Sequence, residues 1–377
     1  MRGPGFFTTI ALGLAFFIAF ANCMLGMRVL RLPAKKGAVF VFLLFNAAAA
    51  WGATLAWTKA LPGAEFISRF CVFWFVGQII LLPFFLFGGA ATFAAGPAAA
   101  GAIKAGGAAA LVFAFAVSGY GAFYESVTVT TSRRELILPN LDPEADGFKI
   151  AHLTDLHLGM FFSLADLRSV LEQARAENPD AMAITGDLID DASQAADMAA
   201  VLDEFAGCFP YGIYYVWGNH EYMRGERTVA ESLAKSKTVV LKNASARLLG
   251  TASPLYMLGV DYSFARDPDA RSREYGRMLK AALEGVPREA TKILLSHHSA
   301  AIDEAFAQGI DLTLAGHTHG TQVGLFGRPL YREAFKYIRG VYGKGGLYGY
   351  VSTGVSGWFP FRFGCPPEIA VFTLKSK

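Results

Sequence analysis

Four long apolar stretches, at about 6–26, 38–58, 70–91 and 105–124, fill the first third of the chain. Beyond them the pattern breaks into short alternating or apolar runs separated by amphipathic ones. A helix needs roughly 20 mostly apolar residues to cross the hydrocarbon core of a bilayer, so each stretch is a candidate span. The first, FFTTIALGLAFFIAFANCMLG, has a basic start in Arg2 but no A-x-A-like cleavage site, and three more spans follow it. It is therefore read as retained rather than as a removed leader. The fourth, GGAAALVFAFAVSGYGAFY, is rich in Ala and Gly, which suits close helix packing in a membrane.

The pattern after residue 125 is that of a layered α/β domain. ESVTVTTSRRELILP alternates and is rich in β-branched residues, and so reads as an entry strand, followed by turn chemistry in LDPEADG. Apolar strands FKIAHLT, DAMAIT, GIYYVW, LYMLGV, TKILLS and DLTLAG then alternate with helices. These are SLADLRSVLEQARAEN, with Ser163 as N-cap, DMAAVLDEFAG and a helix near 272–284. Strand and helix in alternation imply layered α/β packing, with the chemistry at the carboxyl ends of the strands. The expected division is a membrane anchor over 1–125 and an α/β domain over 126–377.

Charge sharpens this division. Residues up to 125 carry eight Lys and Arg against Glu65 and Glu125, a net of +6, which leaves 26 basic and 29 acidic residues behind them. The second part has no dominant basic stripe, which argues against nucleic acid as its partner. All seven histidines lie after residue 151. Arg28, Arg31, Lys35 and Lys36 crowd the loop after the first span, and Lys104 lies before the fourth. Arg2, Lys59, Arg69, Arg133 and Arg134 fall on the opposite side, so the totals tie. The dense first loop favours both chain ends outside, with the second domain extracytoplasmic. Cys23 and Cys71 sit in apolar runs, and Cys208 and Cys365 have no metal-ligand spacing; their pairing is left open.

Polar clusters sit where strands end: Asp155-Leu156-His157, Gly186-Asp187-Leu188-Ile189-Asp190, Gly218-Asn219-His220-Glu221, His297-His298 and Gly316-His317-Thr318-His319-Gly320. Carboxylates and imidazoles without thiolates suit divalent ions such as Mn, Fe or Zn. So many oxygen and nitrogen ligands suit two ions sharing a carboxylate better than one tetrahedral ion. His152 lies within a strand and reads as packing; Asp190 and Asp191 read as a helix start, and Asp261 as a strand end.

In this order, D-x-H, G-D-x-x-D, G-N-H-[DE], a strand-end His and G-H-x-H resemble the calcineurin-like metallophosphoesterases over about 148–377. The resemblance is closest to the membrane-associated or exported bacterial branch related to phosphodiesterases of the YkuE and YaeI type, supported by GHTHGTQVGL and RFGCPPEIAVFTL. It implies a four-layer α/β/β/α sandwich behind a bundle of about four transmembrane helices, and two divalent metal ions. One ion would sit on Asp155, His157, Asp187 and His319, the other on Asp187, Asn219, His297 and His317, with Asp187 bridging. A metal-bound hydroxide would attack in line, with His220 stabilising charge or protonating the leaving group, paired with an acid such as Glu221. His298 stands where relatives often have Asn, and Tyr262 where many have a second acid.

His298 and Arg339 are the candidate substrate contacts. Arg339 belongs to the basic-aromatic segment 331–350, with Arg332, Lys336, Lys344 and five tyrosines. That segment reads as an interfacial amphipathic face, an anionic head-group site or a solvated loop. Ser356-Gly357-Trp358-Phe359-Pro360-Phe361 rests either on lipid or under the domain itself. The expected function is hydrolysis of a phosphodiester or pyrophosphate bond in a lipid-linked or envelope substrate at a bilayer surface. The competing reading is a non-catalytic scaffold of the same fold, which lost ligands would mark; none is missing here.

Overall fold

The computed structural model describes residues 4–33, 35–58, 63–250, 254–331, 333, 335–357 and 359–377, without side-chain detail for 4–12 and 53–58. Arg2, Lys59, Arg332 and Trp358 lie outside the described residues. The chain separates into two compact units. One comprises Met1–Ser126 with Pro360–Phe363, the other Val127–Phe359 with Gly364–Lys377.

The first unit is helical: α1 (Pro4–Val29), α2 (Lys36–Thr58), α3 (Ala64–Ala94) and α4 (Ala100–Phe123). Among the described residues, Ala64–Ala94 and Pro97–Val127 are long and apolar enough to cross a membrane. Of the residues described with side chains, α1 and α2 contribute the apolar stretches Gly13–Val29 and Lys36–Gly52. Val29, Leu81, Phe85, Ala110 and Ala114 form the unit's small core. Glycine permits the close approaches around it. A Cβ at Gly107 would lie 2.4 Å from Val29 Cγ1, and one at Gly77 would lie 2.7 Å from the Phe115 ring. Asn46 Oδ1 accepts both Trp74 Nε1 and Gln78 Nε2 at 2.8 Å, tying α2 to α3.

The second unit is a double sheet. Its elements run β1 (Thr130–Ile137), β2 (Lys149–Leu153), α5 (Leu164–Ala176), β3 (Ala181–Thr185), α6 (Ala195–Phe205), β4 (Ile213–Val216), α7 (Asn219–Arg224), α8 (Glu226–Leu233), β5 (Val239–Val240), β6 (Ala244–Leu249), β7 (Leu255–Gly259), α9 (Pro268–Ala282), β8 (Thr291–His298), α10 (Ala301–Ala307) and β9 (Leu312–Gly316). A short ribbon of β10 (Gly324–Leu325) and β11 (Arg328–Pro329), a hairpin of β12 (Gly340–Lys344) and β13 (Leu347–Val351), and β14 (Glu368–Lys375) complete it. One six-stranded sheet has the order β1-β14-β2-β3-β4-β5 and the other β12-β13-β9-β8-β7-β6. Both are mixed: β2, β3, β4 and β5 run parallel, as do β7, β8, β9 and β13, with antiparallel pairs at β14–β2, β6–β7 and β12–β13.

Side chains alternate across each strand, and both faces of the central strands are apolar. Ile150, Ala181, Ala183 and Val216 of the first sheet meet Met257, Ile293, Leu295 and Leu314 of the second in one core. The opposite faces carry helices. Leu153, Met182 and Ile184 pack under Leu167, Leu171 and Met198, while Leu258 and Leu294 pack under Tyr275, Leu279 and Ala305. The layers are thus α/β/β/α. Ser163 caps α5, reinforced by Asp166 in a capping box.

In the segment 331–350 the described residues up to 339 are irregular. Its second half is the β12–β13 hairpin at the edge of the second sheet, where Tyr350 is buried. Lys336 pairs with Asp303 at 2.7 Å and Tyr337 donates to the same carboxylate at 2.8 Å. The apolar segment after Ser356 is partly internal, with Phe361 buried.

Candidate metal centre

The five motif loops converge because their strands are neighbours in the two sheets. The loops after β2 and β3 run side by side: Asp155 N donates to Gly186 O at 3.1 Å and His157 N to Asp187 O at 2.9 Å. This winding puts Asp155, His157, Asp187, His317 and His319 in the left-handed region, with φ of 54°, 50°, 49°, 71° and 49°. Non-glycine residues there are strained, and such strain collects at functional sites. Close glycines complete the arrangement. A Cβ at Gly218 would lie 2.2 Å from Asp187 Oδ1, and one at Gly316 2.4 Å from Asp155 Oδ2.

Among the described residues three overlapping groups result: Asp155, His157 and His319; His157, Asp187 and His220; and Asp187, His297 and His317. In each, the ligand-type atoms lie within 4.8 Å of one another. His319 Nε2 is 3.3 Å from Asp155 Oδ1, and His297 Nε2 is 3.2 Å from Asp187 Oδ2. His157 Nε2 and His220 Nε2 each lie 3.8 Å from Asp187 Oδ2.

The donor set fits divalent cations on its own chemistry. His157 Nδ1 faces Asp190 Oδ1 at 3.2 Å and His319 Nδ1 faces the Ser356 carbonyl at 3.3 Å. Both are acceptors, so both protons sit on Nδ1. The two Nε2 lone pairs then confront each other at 3.2 Å. His297 Nδ1 donates to Thr185 O at 2.7 Å, which leaves its Nε2 lone pair 3.1 Å from His317 Nδ1. Asn219 Oδ1 is buried without a hydrogen-bond partner. Facing lone pairs and an orphaned carbonyl oxygen call for a positive charge between them. Without one, His297 keeps a second proton. Burial disfavours that charge, but the Asp187 carboxylate outweighs burial and raises the imidazole to about 9. Burial likewise opposes the Asp187 charge, yet His297, His157 and His220 hold that carboxyl well below its usual range.

Two acids behave differently from their sequence reading. Asp190 is not a helix start; its Oδ1 accepts from His157 Nδ1 and also makes a short bond to His220 Nδ1. Despite burial, these histidines hold its carboxyl far below the usual range. Asp191 is the residue that caps the following turn. Glu221 does not pair with His220. Fully buried, it gathers the amides of Gly218 (2.8 Å), Leu188 (2.6 Å) and Asp187 (3.1 Å). It thereby fixes the backbone of the loop that carries Asp187.

The remaining candidates lie around this centre. His298 is buried and stacks on His317, with ring centroids 4.6 Å apart. Tyr262 lies 5.8 Å and 5.7 Å from the His297 and His317 rings. Arg339 is not brought into the cluster; its Nη1 donates to Gly364 O at 2.9 Å beside the loop that follows His319. His152 is buried against Thr185, Tyr350 and Phe372, and Asp261 accepts from the Tyr222 hydroxyl at 2.6 Å. Cys208 and Cys365 do not pair with each other, and Cys365 Sγ donates to His319 O at 3.3 Å.

Comparison with known proteins agrees with this geometry. Residues 148–321 match the calcineurin-like phosphoesterase family. The metallophosphoesterase YkuE of Bacillus subtilis is 30% identical over 288 residues, 74% of this chain and 94% of its own. A metallophosphoesterase of Aquifex aeolicus is 31% identical over 62% of this chain and 88% of its own. A transmembrane protein with a metallophosphoesterase domain from Danio rerio is 29% identical over 50% of this chain and 44% of its own. The chain belongs to the calcineurin-like metallophosphoesterases and is a metal-dependent phosphoester hydrolase.

Proposed function

We propose that the chain is a membrane-anchored binuclear phosphoesterase that cleaves phosphodiester or pyrophosphate bonds in a lipid-linked or envelope substrate. The observation that carries the binuclear reading is the pair of confronted imidazoles, His157 with His319 and His297 with His317, on either side of Asp187. The first ion is assigned to Asp155, His157, Asp187 and His319, and the second to Asp187, Asn219, His297 and His317. When bound, such ions supply Lewis-acid charge at the phosphoryl oxygens and a water nucleophile at neutral pH.

The chain's own residues do the rest. Asp187 is held in place by the His220 amide, which donates to its Oδ1 at 2.9 Å. His220 Nδ1 faces Asp190, which leaves Nε2 turned to the same side as Asp187 Oδ2. From there a protonated Nε2 donates to a phosphoryl or leaving-group oxygen, and the Asp190 carboxylate stabilises the imidazolium.

The anchor is assigned to the four helices. Phe87, Phe93, Val112, Phe40 and Trp51 of these helices are more than 60% exposed, an apolar surface that suits lipid. With the dense Arg28–Lys36 loop inside, the hydrolase domain faces the extracytoplasmic side.

The test is hydrolysis of a chromogenic phosphodiester by detergent-purified protein, stripped with chelator and resupplied with Mn, Fe, Zn or Mg. Turnover restored by metal and lost in Asp187→Ala supports the reading. No turnover with any ion, and no bound metal by elemental analysis, sinks it.

A further inference from the structure

Beside His317, the wall of the centre presents two donors to each other with no acceptor between them. His298 Nδ1 accepts the Ala300 amide at 3.0 Å, so the neutral ring carries its proton on Nε2. Arg271 Nη1 lies 3.4 Å from that same Nε2. Two N–H groups therefore face one space. Arg271 is fixed there through Nε, which donates to Ala265 O at 2.9 Å, and no carboxylate pairs with it among the described residues. Tyr262 and Phe335 flank the place: the Tyr262 ring is 6.2 Å and the Phe335 ring 5.8 Å from that of His298. A guanidinium and an imidazole N–H that converge in a partly buried wall suit an anionic oxygen.

We propose that Arg271 and His298 form a subsite for a second phosphoryl group, adjacent to the one being cleaved, so that the preferred substrate is a pyrophosphate diester. This rests on the phosphoesterase reading above. The His298 ring lies between His317 and Arg271, so a group held there neighbours the metal-binding cluster instead of entering it. In the reaction, water adds to the proximal phosphorus and the P–O–P bond breaks. The electron pair leaves with the distal phosphoryl group, whose oxygens Arg271 and His298 hold. The products are two phosphomonoesters, and the protons of the water pass to solvent. A leaving phosphate of this kind is stable as an anion. The donors on this wall thus stabilise the charge that develops on it.

The experiment compares two soluble substrates on the metal-loaded, detergent-purified full chain. ADP-ribose has two adjacent phosphoryl groups, and the 4-nitrophenyl ester of thymidine 5′-monophosphate has one. CDP-dioleoylglycerol in mixed micelles is a third arm, which separates a lipid-linked source of the pyrophosphate from a soluble one. Arg271→Gln is expected to lower kcat/KM about 100-fold on the pyrophosphates and less than about fivefold on the single ester. Arg271→Lys, which keeps the charge, should fall between.

By calorimetry, α,β-methylene-ADP should bind the loaded wild type more tightly than AMP does, and Arg271→Gln should erase the difference. Equal losses on both soluble substrates, or a wild type that turns over the nitrophenyl ester but neither pyrophosphate, overturn the subsite and leave the phosphoesterase reading intact. A wild type inert on every substrate with every ion overturns both.

Discussion

His157 Nδ1 lies 3.2 Å from Asp190 Oδ1, the same oxygen that bonds His220 Nδ1. One carboxylate therefore orients a candidate metal ligand and the candidate proton donor together. Partners of this kind fix the tautomer and raise the basicity of a ligating imidazole. Asp190→Asn keeps the shape but removes the charge. Its expected effects are a 10- to 100-fold loss of metal affinity and a loss of kcat of similar size, because outer partners of ligating histidines typically contribute that much. Metal titration and steady-state kinetics on the same preparation check both. If metal affinity falls and kcat at saturating metal does not, Asp190 serves His157 alone.

Glu221 yields a prediction about stability. Its carboxylate is fully buried and accepts three backbone amides, two of them from Asp187 and Leu188 in the loop after β3. Glu221→Ala leaves three buried N–H groups without an acceptor, at a cost of about 1–3 kcal/mol for each that water fails to reach. The expected result is a destabilisation of the hydrolase unit by about 3 kcal/mol or more. Glu221→Gln, which retains one acceptor oxygen, should fall between. Chemical unfolding followed by tryptophan emission measures it, since Trp217 is buried in that unit's core.

These two acids mark where the sequence stops being legible. The strand-end motifs announced the candidate ligands because the family spacing is local, and each motif follows its own strand. Asp190 lies three residues after Asp187 in a run that also suits a helix start, and Asp191 does cap the next turn. Sequence alone does not say which of two adjacent acids turns inward. Glu221 is next to His220 in sequence, yet it points to the opposite side because a helical turn begins at Asn219. Arg271 lies on α9, more than twenty residues from the nearest motif histidine, and nothing in its local pattern signals a site. The left-handed backbone at five candidate ligands was equally hidden, since none of them is glycine. The edge hairpin in 331–350 was masked by its Lys and Tyr content, which an interfacial segment shares.

The pH dependence of metal binding follows from His297. In the metal-free protein its pKa is raised from 6.5 to about 9, where Asp187 outweighs burial. That contribution to stability is complete below about 6.5 and disappears as pH climbs through about 9. A divalent ion must displace this proton, so uptake near pH 7.5 should release at least one proton from the centre. Apparent affinity should weaken about tenfold for each pH unit below 9 for each proton displaced. Calorimetric titration with Mn in buffers of different ionisation enthalpy measures the release directly. Buffer-independent heats would show that His297 binds no ion.

One tight constraint on the centre is the contact between Gly218 and Asp187. A Cβ at position 218 would lie 2.2 Å from Asp187 Oδ1 and 2.5 Å from its amide nitrogen, far inside van der Waals contact. Neither atom can move without breaking a hydrogen bond. The amide is locked by Glu221 at 3.1 Å, and the carboxylate oxygen by the His220 amide at 2.9 Å. Gly218→Ala should therefore displace the Asp187 carboxylate, the candidate bridging ligand, with a loss of kcat/KM of about 100-fold or more, since a misplacement of 1 Å costs that much. Gly207→Ala is the control, because its Cβ meets nothing within 4 Å. Elemental analysis of the two purified variants separates displacement of the ligand from general misfolding. Gly218→Ala should unfold cooperatively and carry less metal than Gly207→Ala. Full metal content and near-normal turnover in Gly218→Ala would mean that Asp187 does not bridge the ions.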